Sequence, residues 1–301
     1  MIRLDDLALF VRTAALGSFS KAAREANLLP GQASAAIGRL ERELEIRLFA
    51  RSTRSLRLTE EGKRYLPFAL DALHALRNGL DGIRDDASSL TGTLQVGAPS
   101  DFGRNLLLPW ISEFRRAHPN LAIQLLVSDQ VTDVFRDPVD IAVRYGQIDD
   151  ASFICLPVAP GNRRVLVTSP DYIARHGRPA ALNELVHHNC LQYRLRGRTY
   201  NRWSFPLSAG SQVVQIGGRL VSDDAEVVRR WALAGEGIAY KSWLDVQADV
   251  AQGRLEVLLP ELPGELAPLN LICPHRRQFS AAVKLLHALL ENRCRPLARN
   301  V

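Results

Sequence analysis

The sequence predicts an α/β protein in two parts, a small helical head followed by a larger domain in which strands and helices alternate. Three observations carry this prediction. Residues 18–59 read as two short helices across a tight turn followed by an arginine-bearing hairpin; a long stripe of apolar residues spaced by threes and fours follows; and from residue 92 apolar strand-like runs alternate with amphipathic segments. At 301 residues and 47% apolar composition, the chain is long enough for two or three compact units.

In the helix pair, Ser18 is placed as an N-cap ahead of a short helix carrying Ala22, Ala23 and Ala26, whose small side chains allow a second helix to approach closely. Asn27 tolerates the left-handed conformation that ends a helix, and Pro30 suits a first helical turn, so a second helix is expected from about Pro30 to Leu44. Ala33, Ile37, Leu40 and Leu44 form its buried stripe. The opposite face holds Gly31, Ser34, Ala35, Gly38 and Arg42, flanked by Gln32 and Arg39, an unusually bare surface for a solvated helix. Such a helix can enter a major groove, where Ala35 meets a thymine methyl and Ser34, Gln32 and Arg39 supply hydrogen bonds. With few bidentate readers, much of the sequence preference should come from DNA shape and phosphate register.

Leu48 and Phe49 close the small core, and Arg51, Thr53, Arg54 and Arg57 follow in the hairpin, where planar guanidinium groups suit phosphate and minor-groove contacts. Ser20, Lys21, Pro30 and Gly31, at the starts of the two helices, complete the expected DNA-facing set, and the whole reads as a winged helix-turn-helix. Residues 20–64 carry ten Lys and Arg against six Glu, a net of +4 out of +6 for the chain, so the excess charge sits where a polyanion would dock.

These motifs resemble the DNA-binding head of the LysR-type transcriptional regulators. The resemblance rests on F-S-K-A-A at 19–23, Ser34 with R-L-E at 39–41, L-F-x-R-x-x-R from Leu48 to Arg54, and L-T-x-x-G from Leu58 to Gly62. The chain departs from that pattern at Leu29, where Ser or Thr is usual, and at Ala35, where Arg is frequent. The missing cap should cost on the order of 1 kcal/mol. The missing arginine withholds one of the family's usual base contacts.

Thr59 is placed to cap a long helix reaching about Asp86, with Glu60 and Glu61 favourably set in its first turn. Leu66, Ala69, Leu73, Leu76, Leu80 and Ile83 give it a two-per-heptad seam that wants a partner helix, while Pro67 should kink it and Gly79 and Gly82 weaken its far end. The resemblance implies the same thing, a linker that pairs two heads in a homodimer or homotetramer, so that the target duplex carries an interrupted palindrome.

Strand-like runs are expected at about 93–98, 121–127, 139–144, 163–168, 213–221, 237–240 and 268–273, and helices at 104–117, 170–175, 223–234, 242–251 and 279–292, after a hinge at Ser88–Gly92. This alternation argues for mainly parallel sheets with helices on both faces. The resemblance extends here through looser motifs, G-x-L-x-V-G at 92–97, D-I-A-V-R-Y-G at 140–146 and A-G-E-G-I-A at 234–239. It implies a two-subdomain, periplasmic-binding-protein-like effector domain. The expected boundaries are a winged helix-turn-helix at 1–58, a dimerising linker helix at 59–88 and the effector domain at 89–301, with subdomain I at 89–161 and 267–301 and subdomain II at 162–266.

Ligands in such folds bind where strand C-termini and helix N-termini face a cleft. Ser100, Asp101 and Phe102 follow the first strand, Ser128 and Asp129 the second, Arg144 and Tyr145 end the third, and Tyr193, Trp203 and Ser222 can close from the second subdomain. Helix N-terminal amides and small hydroxyls favour a small organic acid, whereas Asp101 and Asp129 weigh against a strongly anionic ligand. Ser100 and Ser128 also match positions where the resembled family touches its effectors.

No G-x-S-x-G elbow, Walker loop, H-E-x-x-H or strand-linked G-x-G-x-x-G is present, so no enzyme, cofactor or metal is predicted. Cys155, Cys190, Cys273 and Cys294 show no paired spacing and read as reduced structural residues. No apolar run approaches the ~20 residues needed to cross a bilayer, and the N-terminus enters a helix directly, so a cytoplasmic protein is expected. A solute-binding protein would share the C-terminal fold but not the head. The resemblance implies that effector occupancy alters subdomain closure, re-spaces the heads and changes DNA bending or contact with RNA polymerase.

Overall fold

The computed structural model describes residues 1–51, 56–84, 90–129, 139–147, 153–195, 197–207, 210–273 and 280–297. They fall into two compact units, one formed by Met1–Thr91 and the other running from Gly92 to the C-terminal helix.

The first unit begins with α1 (Leu4–Leu16), which ends at Gly17 in the left-handed region (φ 59°). Ser18 then accepts the Lys21 N–H at 3.4 Å and opens α2 (Phe19–Glu25), and Asn27 takes φ 54° in the turn. The third helix, α3 (Pro30–Leu44), stops where Glu45 turns left-handed. Its start is capped differently from the expectation for a bare Leu29. The Gln32 side-chain carbonyl reaches back to accept the Leu29 N–H at 2.8 Å, which recovers half of a capping box. Strands β1 (Phe49–Arg51) and β2 (Leu56–Leu58) pair antiparallel, and α4 (Glu60–Arg84) follows.

Ala33, Ala36, Ile37 and Leu40 of α3 are buried against Leu7 and Phe10 of α1, with Phe49 edge-on to both Phe10 and Phe19 at 5.6 Å. The same core claims part of the α4 seam. Leu66 and Ala69 are buried in it and Leu73 packs on it, so these positions are used within the chain, while among the described residues further along, Leu76 is exposed, as is Phe68 on another face. The physical reason is that α4 starts directly beneath the hairpin. Thr59 Oγ1 bonds the Arg47 carbonyl and accepts the Gly62 N–H at 2.9 Å, which seats the first turns of α4 on the head.

The second unit runs in order β3 (Gly92–Ala98), α5 (Ser100–Phe102), a π-helical turn (Gly103–Leu107), α6 (Leu108–Ala117), β4 (Leu121–Val127), β5 (Ile141–Tyr145), β6 (Ile154–Ala159), β7 (Arg164–Thr168), α7 (Pro170–His176) and a 3-10 turn (Leu182–His187). It continues through β8 (Gln192–Leu195), β9 (Arg198–Tyr200), β10 (Arg202–Leu207), β11 (Gly210–Gln215), β12 (Val221–Ser222), α8 (Ala225–Leu233), β13 (Ala239–Ser242), α9 (Trp243–Ala251), β14 (Glu256–Leu258), β15 (Leu269–Cys273) and α10 (Ala281–Leu297).

One sheet has the order β4-β3-β5-β15-β6, with β3 parallel to both neighbours and β15 antiparallel to β5 and β6. The second half holds β13-β7-β14, antiparallel throughout, with β12-β8-β9 and the β10-β11 hairpin beside it. The sheets are therefore mixed rather than mainly parallel. The cause is that β15 returns after the whole second half has been built and enters the first sheet from the opposite end. The two crossing segments are stitched at Asn162, which is fully buried; its Nδ2 donates to Ser242 Oγ at 2.9 Å and to the Ala267 carbonyl at 2.6 Å. The run at 213–221 is not one strand but the end of β11 and the start of β12, broken near Gly218, where a Cβ would lie 1.9 Å from the Cys190 carbonyl oxygen.

Candidate functional site

The exposed face of α3 is as bare as its sequence. Gly31, Gln32 and Ala35 are exposed and Ser34 and Gly38 half-buried, and a Cβ added at Gly31 or Gly38 would meet nothing within 4 Å. Ser20 and Lys21 are exposed at the start of α2, next to the capping Ser18, and Arg57 is exposed on β2. Pro30 occupies the first position of α3, and Arg51 ends β1. Thr53 and Arg54 lie outside the described residues.

Arg39 has a different task from the base reading expected of it. Its Nε and Nη2 donate to the two oxygens of buried Asp6 at 3.0 and 2.6 Å, and the hydrogen bond to Asp6 raises its already high pKa. The fork that would address a guanine edge is thus spent on tying α1 to α3. Glu41 makes a second internal tie: its Oε1 accepts the Leu48 and Phe49 N–H groups at 2.8 and 3.2 Å and holds the start of the hairpin against α3.

The second unit contains a cavity of about 350 Å³. Its walls include the rings of Tyr145, Tyr193, Tyr200, Trp203 and Tyr240, and Trp203 packs against Tyr240 with ring centroids 5.4 Å apart. Asp101, Ser128, Arg144, Tyr145, Tyr193 and Trp203 all line it, drawn from both halves of the unit. Three other expected positions do not. Ser100 is buried behind the wall, where its hydroxyl donates to Asp129 and accepts the Glu226 N–H at 3.2 Å. Phe102 is fully buried and supports Tyr145 edge-on at 6.4 Å. Ser222 folds back to accept the Asp224 N–H at 3.1 Å.

The floor is an ionic cluster that sequence reading only half found. Lys241, whose side chain is 7% exposed, donates to Asp101 and to the Ala225 carbonyl at 2.9 Å, and the Tyr145 hydroxyl donates to Asp245 at 2.6 Å. Burial pushes the Asp101 carboxyl well above the usual carboxylate range; Lys241 pulls it back, and Asp245 and Glu226 push it further up. Burial likewise raises Asp245 and Tyr145. Glu226 behaves in the opposite sense: burial raises it, but hydrogen bonds from Asp101, Arg230 and Asn105 outweigh that and hold it down at about 2. Lys241, Tyr240 and Asp245 were absent from the expected set, whereas Asp129 was placed at the cleft from its position after the second strand. The signal available was a lysine directly after the apolar run Ile238–Tyr240 and two residues before Trp243.

The helix N-terminal donors, which favour a carboxylate ligand on sequence grounds, are already occupied. Asp129 Oδ1 accepts the Ser100 N–H at 2.7 Å and Oδ2 the Ala225 N–H at 2.6 Å. The expectation of an organic acid at these donors therefore does not hold.

Residues 4–63 match the family "Bacterial regulatory helix-turn-helix protein, lysR family", and residues 87–295 match the "LysR substrate binding domain". The chain belongs to the LysR family of transcriptional regulators. Among relatives, it is 32% identical to the HTH-type transcriptional regulator DmlR of Escherichia coli K12, over 86% of this chain and 84% of that one. It is 33% identical to the regulator YhjC of the same strain, covering 95% of both. The structure of CrgA, a LysR-type regulator from Neisseria meningitidis, aligns with a TM-score of 0.62 at 28% identity, covering 96% of this chain and 98% of that one. The full-length Vibrio cholerae virulence activator AphB gives 0.62 at 26%, covering 96% and 99%. As a LysR-type regulator the chain is a DNA-binding protein rather than an enzyme, with a helix-turn-helix head and an effector-binding domain, and regulators of this family form oligomers. Among the described residues no helix is long and apolar enough to cross a membrane.

Proposed function

We propose that the side-chain-poor face of α3, Gly31, Gln32, Ser34 and Ala35, lies in the major groove while Ser20, Lys21, Arg51, Thr53 and Arg54 engage the flanking phosphates. The observation that carries this is an exposed helix face on which two glycine positions open directly to solvent. With Arg39 held by Asp6 and the Gln32 carbonyl taken by the Leu29 N–H, direct base reading falls to the Gln32 amide NH2 and to Ser34, and shape supplies the rest. Exposed Phe68 and Leu76 on α4 support pairing of two chains, so the operator is an interrupted palindrome. Regulation is placed in the cytoplasm, with contact to RNA polymerase as the output.

The aromatic cavity is the effector site, and occupancy there changes the closure of the two subdomains and so the spacing of the heads. Its size suits a small molecule, and its walls come from both subdomains. Selection of duplexes from a random pool by the full-length protein tests the DNA reading. Enrichment of a dyad with a fixed central gap is expected, and enrichment of single unrepeated half-sites would refute it.

A further inference from the structure

Four of the chain's six tyrosines, Tyr145, Tyr193, Tyr200 and Tyr240, line the cavity of the second unit together with Trp203. None of the described phenylalanines does, although the chain has ten, so the lining favours rings that carry a hydrogen-bonding group over rings that carry none. Three of the rings are held in place by the chain. The Tyr240 hydroxyl donates to the Ser204 carbonyl at 2.8 Å and accepts the Glu265 N–H at 2.7 Å, Trp203 packs on Tyr240, and the Tyr145 hydroxyl donates to Asp245 at 2.6 Å. Tyr193 and Tyr200 are cross-strand partners on β8 and β9, with ring centroids 6.0 Å apart.

Two neutral donors on these rings are left over. Trp203 is 5% exposed, yet its indole N–H meets no acceptor among the described residues and keeps open surface, and the cavity is the space that this residue lines. The hydroxyl of half-buried Tyr193 likewise has no partner among the described residues, and burial pushes its pKa up, so it stays protonated and able to donate. Buried indole and phenol groups ordinarily find a partner. The ionic groups of the lining, by contrast, are four basic and four acidic and largely engaged with the chain itself. Lys241 is paired with Asp101, Arg164 with Glu265 at 2.8 Å, and Asp129 accepts the Ser100 and Ala225 N–H groups at 2.7 and 2.6 Å. A charged ligand head would give up its water for partners that are already taken.

We propose that the cavity takes an uncharged, planar aromatic effector bearing an acceptor oxygen of the carbonyl type, its ring packed among the tyrosines and Trp203 and its oxygen held by the Trp203 N–H and the Tyr193 hydroxyl. This rests on the cavity being the effector site. An indole N–H can only donate, so the ligand group that satisfies it must accept. Offset or edge contacts with several fixed rings favour a flat aromatic body over a saturated one of the same size.

Calorimetric titration of the full-length protein with acetophenone, cyclohexyl methyl ketone, benzoate and benzylamine, four probes of similar size, tests the assignment. Acetophenone is expected to bind at least tenfold more tightly than benzoate or benzylamine and at least threefold more tightly than the saturated ketone. Trp203→Phe and Tyr193→Phe keep a ring and remove a donor, and each should weaken acetophenone at least threefold. The proposal is overturned if acetophenone shows no measurable binding, if a charged probe or the saturated ketone binds as tightly, or if both donor variants bind acetophenone like wild type. Trp203→Ala separates the two levels of the account. Probes unaffected by it bind outside the cavity and sink the effector-site reading, whereas a charged probe that is weakened by it and still matches acetophenone on wild type sinks only the present inference. If Trp203→Ala does not fold, Tyr200→Ala, at a ring that is 49% exposed, serves in its place.

Discussion

Replacing Glu41 with alanine should open the head at the base of its hairpin. Glu41 is 7% exposed, and its Oε1 is the acceptor for two backbone amides, those of Leu48 at 2.8 Å and Phe49 at 3.2 Å, both on buried residues. Truncation strands both donors, at about 1–3 kcal/mol each, or about 2–6 kcal/mol together. Arg47 also pairs with Glu41 at 3.1 Å, but its side chain is 82% exposed, so that pair adds at most about 1 kcal/mol. Glu41→Gln retains a carbonyl acceptor of the same reach and should lose only the charge assistance, about half the effect. Hydrogen exchange of peptides covering residues 41–51, measured on the full-length protein, reads the opening directly. A loss of 2 kcal/mol corresponds to roughly thirtyfold faster exchange. The reasoning fails if Glu41→Ala accelerates exchange less than about threefold, or if the Gln and Ala variants behave alike.

Other outcomes follow from the same structure. Gly62→Ala, normally favourable in a helix, should destabilise the head by more than about 2 kcal/mol, because the new Cβ would stand 2.2 Å from the Leu48 carbonyl oxygen; thermal unfolding followed by circular dichroism checks it. Leu29→Ser should raise stability by up to about 1 kcal/mol by supplying the missing N-cap acceptor, and an unchanged melting curve would show that Gln32 already suffices. Asp6→Ala and Arg39→Ala should destabilise by similar amounts and not add in the double variant, since each breaks the same tie; full additivity would deny the coupling. Glu226 is held at about 2, below its unfolded value of 4.5, so its contribution is complete above pH 4.5 and is lost as pH falls towards 2. The stability difference between wild type and Glu226→Gln should therefore shrink across that window, and a difference that grew on acidification would reverse the assignment.

The head was legible almost residue by residue because its signals are local. Ser18 caps, Asn27 turns left-handed, and the three-four spacing of Ala33, Ile37 and Leu40 faces the core. What escaped were side-chain ties between elements, Arg39 with Asp6 across 33 residues and Glu41 with the Leu48 amide across 7, in which residues with ordinary surface identities are recruited by partners on a neighbouring element. In the second unit the long strands β3, β4, β5 and β15 were readable as apolar runs. The strands β6 and β10 were not, because Pro157 and Pro206 argue against a strand; both lie in edge or two-stranded pairings, where a missing N–H is tolerated. The cavity lining was found where it follows strand ends, as at Asp101, Ser128 and Tyr145. It was missed at Lys241 and Asp245, which a late strand and helix carry back to the floor, and it was overextended to Ser100, which the proximity of Asp129 turns into a buried link. The seam of α4 was misread in its first half because periodicity reports that a face is buried, not what buries it.

The reading of α3 as the helix that enters DNA stands on a small, exposed patch, and Ala35→Glu probes it with least disturbance of the fold. Ala35 is exposed, so the substitution should leave unfolding within about 0.5 kcal/mol of wild type. Fluorescence anisotropy with a selected operator duplex, at fixed salt, should then show at least a hundredfold loss of affinity, because the added carboxylate would face the groove and its phosphates. An Ala35→Glu protein that binds the operator as tightly as wild type would show that this face never meets the duplex.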